Sequence, residues 1–169
     1  MDYLIVTLLQ ILTTIGNLAL ISLGLAIIFG MMRVINLAHG EFIMLGGFTA
    51  VFATQAGVNI WLSMLVIAPI AVGLLGFVIE RLVIRHLYGR MIDTMLATWG
   101  LSLLLIGLAT TFFGNRVVGI AAPTGGLKIG GYAIGSYDIV LLAIACALYI
   151  GAAVFLMKTR AGLKARATR

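Results

Sequence analysis

Charge is what this chain has least of. Only 9% of its 169 residues are Asp, Glu, Lys or Arg, where a soluble domain carries about a quarter. It lacks the polar surface needed to face water on all sides. Cysteine is nearly absent as well: Cys146 stands alone, so no disulfide can form within the chain. The two histidines, His39 and His86, are separated by a long apolar run. A metal site needs three or four ligands, so neither a metal nor another cofactor is expected. There is no serine in a nucleophile elbow, no pair of catalytic aspartates and no glycine-rich phosphate loop. The chain is therefore not read as an enzyme, and it carries no motif with which to hydrolyse ATP.

What it has is hydrocarbon. The sequence is 63% hydrophobic, with a mean hydropathy of +1.21. A bilayer core takes roughly 20 apolar residues per helix. Residues 4–32 hold no charge and make one tilted span. Residues 42–79 are also uncharged and long enough for two, with a break at "QAGVN" (55–59), where Gly57 and Asn59 supply turn chemistry. Trp61 then anchors the next helix at an interface. Residues 94–115 and 139–157 complete the set. The first run has no basic segment ahead of it and Asp2 is acidic, so it reads as a span rather than a signal peptide. Hydrocarbon offers no partner to an unpaired backbone group, so each span should be a helix. The expected fold class is all-α: a polytopic transmembrane helix bundle of about five spans. Pro69 falls inside the third and predicts a kink. The glycines at 46–47 and in "GLLG" (73–76) predict close helix approach.

Charge placement gives an orientation. With alternating spans, Arg33, Arg81, Arg85, Arg90, Lys158, Arg160, Lys164, Arg166 and Arg169 fall on one side, nine of the 11 basic residues. Arg116 and Lys128 fall on the other. The positive-inside rule puts the first group in the cytoplasm, the N-terminus outside and the C-terminus inside. The basic excess is then a topology signal with lipid headgroups as neighbours. No aromatic-interleaved basic groove is present, so nucleic acid is not an expected partner. The longest connection, 114–137, lies on the outer face; its "LKIGGYAIGSYDI" alternates loosely and suits a short hairpin, an extended lid or a plain connector.

One stretch breaks the apolar pattern. "RVINLAHGEF" (33–42) gathers Arg33, Asn36, His39 and Glu41 between two greasy runs. It fits either a cytoplasmic loop or a broken helix dipping into the membrane. On a helix, Asn36, His39 and Gly40 would share a face. Ionisable groups at membrane depth face a cavity or a bundle interior. Elsewhere, Glu80 and Arg81 read as a mutually paired span end. Asp93 and Asp138 read as caps of the fourth and fifth helices.

"GLAIIFGMMRVINLAHGEFIMLGG" (24–47) closely resembles the signature of the membrane permeases of branched-chain amino acid ABC importers. "RHLYGRMIDTMLATWGLSLLL" (85–105) resembles the same family, particularly its urea and short-chain amide branch. "KTRAGLKARATR" (158–169) looks like the start of the family's segment that docks onto an ATPase, through Thr159, Arg160, Gly162, Leu163 and Arg166. The resemblance implies a single permease domain over 1–169, the N-terminal part of a longer permease, in the bacterial inner membrane. It implies four kinds of partner: a second permease subunit, two cytoplasmic ATPases, a periplasmic solute-binding protein and the lipid bilayer. For the solute path, Thr98 and Ser102 are four apart, flank Gly100 and lie beside Trp99. Together with Asn36, His39, Gly40 and Glu41 they are the candidate path residues, the two faces looking at each other across a solute route. Asn, Ser and Thr both donate and accept, as a small amide needs; an amino acid needs charge compensation too, half of which Glu41 would supply. A non-transporting membrane scaffold or assembly partner is the alternative reading.

Overall fold

The structure is a computed structural model describing residues 2–32, 34–114, 119–120, 125–129 and 132–158. Arg33 and the expected ATPase-docking residues Thr159, Arg160, Gly162, Leu163 and Arg166 lie outside the described residues. Among the described residues the regular structure is helical apart from one two-stranded hairpin. Helix α1 runs Asp2–Met32 and α2 His39–Gln55. A third span is built from α3 (Ile60–Leu62), a π-helical turn (Ser63–Ile67) and α4 (Ala68–Leu82). Helix α5 is Met91–Phe113 and α6 is Ser136–Lys158. Among the described residues, four stretches are long and apolar enough to cross a membrane: Tyr3–Gly30, Ile60–Leu82, Met91–Phe113 and Ser136–Val154. Helix α2, at 17 residues, is at the short end of the spanning range, so about five crossings fit the chain.

The contacts divide the chain into two compact units. The first contains α1, the hairpin and α6. In it α1 comes close to α6 at Gly16, where a Cβ would stand 3.1 Å from Leu142 Cδ1. Strand β1 (Gly126–Ile129) pairs antiparallel with β2 (Tyr132–Gly135). Of the readings open for that connection, the hairpin is the one formed. The Ser136 hydroxyl and amide both donate to Gly125 O, tying the start of α6 to the foot of the hairpin.

The second unit, residues 32–121, contains α2 to α5. Its turns follow the expected chemistry at 55–59. Gly57 takes a φ of +93°, a conformation that side chains resist. Asn59 then caps the third span, its side-chain oxygen accepting from Trp61 N at 2.9 Å. Pro69 has no amide hydrogen and its ring crowds the carbonyl four residues back. The helix meets this by widening one turn ahead of it: Ala68 N donates to Ser63 O, five residues back. The expected disturbance at Pro69 is thus taken up as a π turn. Of the glycines at 46, 47, 73 and 76, only Gly46 makes a close helix contact among the described residues. A Cβ there would lie 3.6 Å from Val72 Cγ2, whereas the other three face open space. Phe48 and Phe52 of α2 stack on Phe113 at the end of α5, with centroid separations of 4.6 and 5.1 Å.

Three assignments need correction. Asp93 is not an N-cap: α5 begins at Met91, and the carboxylate sits in the first turn, 2.6 Å from Arg90 Nε. Asp138 likewise lies in the first turn of α6, which begins at Ser136. Acidic groups favour that turn for the helix dipole without being caps. Glu80 accepts from Tyr88 Oη at 3.0 Å rather than serving Arg81, because the 83–90 connection folds the phenol back onto the end of α4.

Candidate functional site

Helix α5 is inside-out by the standards of a soluble protein. Its buried stripe is Thr94, Thr98, Ser102, Leu105 and Ala109, the i, i+4, i+8 spacing of one helix face continued a turn further. Leu103, Leu104, Ile106, Leu108 and Phe112 are exposed. Polar groups inside and large apolar groups outside are what a lipid solvent selects. The hydroxyls behave differently on the two sides. Exposed Thr110 and Thr111 each donate to their own helix, to Ile106 O and Gly107 O at 2.8 Å, which satisfies a hydroxyl that has only lipid beside it. Buried Ser102 instead donates across to Glu41 Oε1 at 2.8 Å.

Thr98 holds the irregular stretch. Residues 34–38 are not helical. Leu37 N donates to Thr98 Oγ1 at 3.1 Å, and that hydroxyl lies 3.3 Å from Ile35 O and 3.0 Å from Met95 O as acceptors. Asn36 adds a local turn, its Oδ1 accepting from Ala38 N at 3.0 Å and its carbonyl from His39 N at 3.3 Å. Val34 and Ala38 are buried. At about 1.5 Å per residue, Thr98 stands roughly 10 Å inside α5 and Ser102 near its midpoint. Residues 34–38 are therefore a non-helical stretch packed about two turns along a membrane-length helix. Irregular backbone at such depth is tolerated where protein satisfies it or where it lines a cavity.

The expected site residues divide as follows. Glu41 and Ser102 meet through side chains, and Thr98 meets the backbone on either side of Asn36. Asn36 does not share a helical face with His39 and Gly40, because it precedes α2 and spends its side-chain oxygen on the turn. His39 lines a groove of about 430 Å³ on another side of α2, walled by Gly46, Gly47, Met64, Ala68 and Pro69 among others. Gly40 is exposed, and a Cβ there would meet nothing within 4 Å. Trp99 and Gly100 are exposed on other faces of α5. Thr94 was missed as a site member. It is buried and donates towards Leu87 O and Arg90 O at 3.1 and 2.8 Å, fastening the start of α5 to the preceding connection. The spacing of Thr94, Thr98 and Ser102 is the signal that would have found it.

One polar atom at the seam is left over. Glu41 Oε2 is buried and has no hydrogen-bond partner among the described residues. No group of three or more metal-ligating side chains occurs among those residues either.

Four long apolar helices among the described residues, one of them carrying a buried polar stripe, define a multi-pass membrane protein. Over residues 7–169 the sequence matches the family described as the permease component of branched-chain amino acid transport systems, and the chain belongs to that family. No curated protein and no solved structure matches it significantly.

Proposed function

We propose that this chain is a membrane-spanning permease subunit of an ABC importer, forming part of the path for a branched-chain amino acid or a related small solute such as urea or a short amide. One observation carries the reading: in a member of a permease family, a non-helical stretch meets the polar stripe of a membrane-length helix about two turns in, and a carboxylate with one buried oxygen meets it at the midpoint. Broken helices near the bilayer midplane are where transporters bind solutes. The proposed path is centred on Asn36, Glu41, Thr98 and Ser102, with His39, Gly40, Trp99 and Gly100 on adjoining faces.

The rest of the proposal follows from charge and family. Residues 1–169 form a single permease domain. Arg81, Arg85 and Arg90 face the cytoplasm, the N-terminus lies outside, and the chain resides in a bacterial inner membrane. Energy comes from two ATPase subunits docked at Thr159, Arg160, Gly162, Leu163 and Arg166. A periplasmic binding protein delivers the solute to the outer face, and a second permease, related but not identical, completes the path. The test is uptake of labelled leucine, isoleucine, urea and acetamide by cells with and without this chain, the other subunits being retained. Deletion is expected to abolish uptake of at least one of them. Unchanged uptake of all four overturns the proposal and leaves a non-transporting role.

A further inference from the structure

We infer that Glu41 Oε2, with Ser102 Oγ beside it, is the contact for an ammonium group on the transported solute. The inference rests on the permease reading above and assigns an atom and a chemical class of contact within it. A carboxylate offers about four acceptor positions. Glu41 fills one of them, taking the Ser102 hydroxyl hydrogen on Oε1 at 2.8 Å. The other oxygen is buried and has no partner among the described residues.

Burial of a carboxylate oxygen without a partner is costly, and the cost falls when a cation meets it. Within Glu41's own unit the described basic residues do not supply that cation: Arg81, Arg85 and Arg90 sit at the end of α4 and in the connection to α5. Glu41 is held against Ser102 near the middle of α5 instead. Thr98 helps to fix the position: one turn from Ser102, it takes the Leu37 amide and so fixes the break that leads into the first turn of α2, where Glu41 stands.

The chemistry of the pair selects the ligand class. Ser102 Oγ donates to Glu41 and keeps lone pairs of its own. A primary ammonium has three N–H donors and a positive charge. It can place one donor on Glu41 Oε2 and another on Ser102 Oγ while offsetting the carboxylate. A neutral amide or urea has the donors but leaves the charge uncompensated in a low-dielectric site. Thr98 acts through the backbone it holds, so it is a positioning residue and not a contact.

The experiment uses the complete transporter in membrane vesicles, with this chain and all its partner subunits. Initial rates of labelled leucine and labelled urea uptake are measured for wild type, Glu41→Gln, Glu41→Asp and Ser102→Ala, alongside the amount of each chain in the membrane. Gln keeps an oxygen for the Ser102 hydroxyl but has no charge. Leucine uptake is expected to fall about 10- to 100-fold in Glu41→Gln, the size of one charge-assisted hydrogen bond. It should stay within about fivefold of wild type in Ser102→Ala. A purely structural pair predicts the reverse order, with Gln tolerated and Ala harmful, and that result overturns the inference. Should Glu41→Gln not accumulate, Glu41→Asp carries the test: retained leucine uptake supports the inference, and total loss at normal membrane level overturns it. A wild type that imports urea but not leucine also overturns it, while leaving the importer reading intact. A wild type that imports neither overturns the inference, and the importer reading falls with it when isoleucine and acetamide are not imported either.

Discussion

Replacing Thr98 by Val removes one hydroxyl at nearly constant volume, which makes it a clean probe of the seam. The hydroxyl accepts from Leu37 N at 3.1 Å and has Ile35 O and Met95 O within 3.3 Å as acceptors. With Val, the Leu37 amide has no acceptor, and no water replaces it if the site is as deep as α5 places it. Leaving such a group unsatisfied costs about 1–3 kcal/mol. The carbonyls lose less, because the one hydroxyl hydrogen is shared between Ile35 O and Met95 O. The gain from the extra buried methyl is under about 1 kcal/mol. A net loss of about 1–3 kcal/mol follows for Thr98→Val. Thr98→Ser keeps the hydroxyl and loses one methyl, about 1 kcal/mol. Reversible unfolding in mixed micelles, titrated with denaturing detergent and followed by circular dichroism, measures both. Val as stable as wild type, or Ser as damaging as Val, would refute the idea that Thr98 holds the break.

Two further perturbations read other parts of the fold. Asn59→Ala deletes the side-chain oxygen that accepts from Trp61 N and should cost about 1 kcal/mol in the same unfolding assay; Asn59→Asp, which keeps the oxygen, should not. Tyr88 ionises above its ordinary value of 10.0, because burial disfavours the phenolate and Glu80 both accepts its hydrogen bond and repels its charge. Its contribution to stability is therefore present below about pH 10 and is lost as the pH rises through the raised value. The difference in ultraviolet absorbance between wild type and Tyr88→Phe should titrate above pH 10, and Glu80→Gln should move that titration down towards 10.

The spans were readable because length and apolarity decide them with no tertiary information. The turn at 55–59 was equally plain, since Gly57 and Asn59 each have a local reason to be there. Pro69 announced a disturbance but not its form: whether a proline kinks a helix or widens the turn before it depends on what packs alongside. Asp93 was misplaced because a cap is read from the first apolar residue after it, and α5 starts two residues earlier, on Met91. The stretch 33–41 was undecidable by pattern. "VINLA" is as apolar as the helices it joins and contains no proline, and its helix break exists because a hydroxyl some sixty residues away supplies the hydrogen bonds that a helix would otherwise provide. The i, i+4 spacing of Thr98 and Ser102 places both on one face of α5, and both are buried there. What their hydroxyls bind, one a backbone and the other a carboxylate, is long-range information.

The most direct test of the solute path is the reactivity of a single cysteine at position 102, in a chain with Cys146→Ala, within the complete transporter. A charged, water-soluble thiol reagent should modify Ser102→Cys, and the imported solute should slow the reaction. No modification by that reagent from either side of the membrane, with a lipid-soluble maleimide reacting readily, would contradict the account.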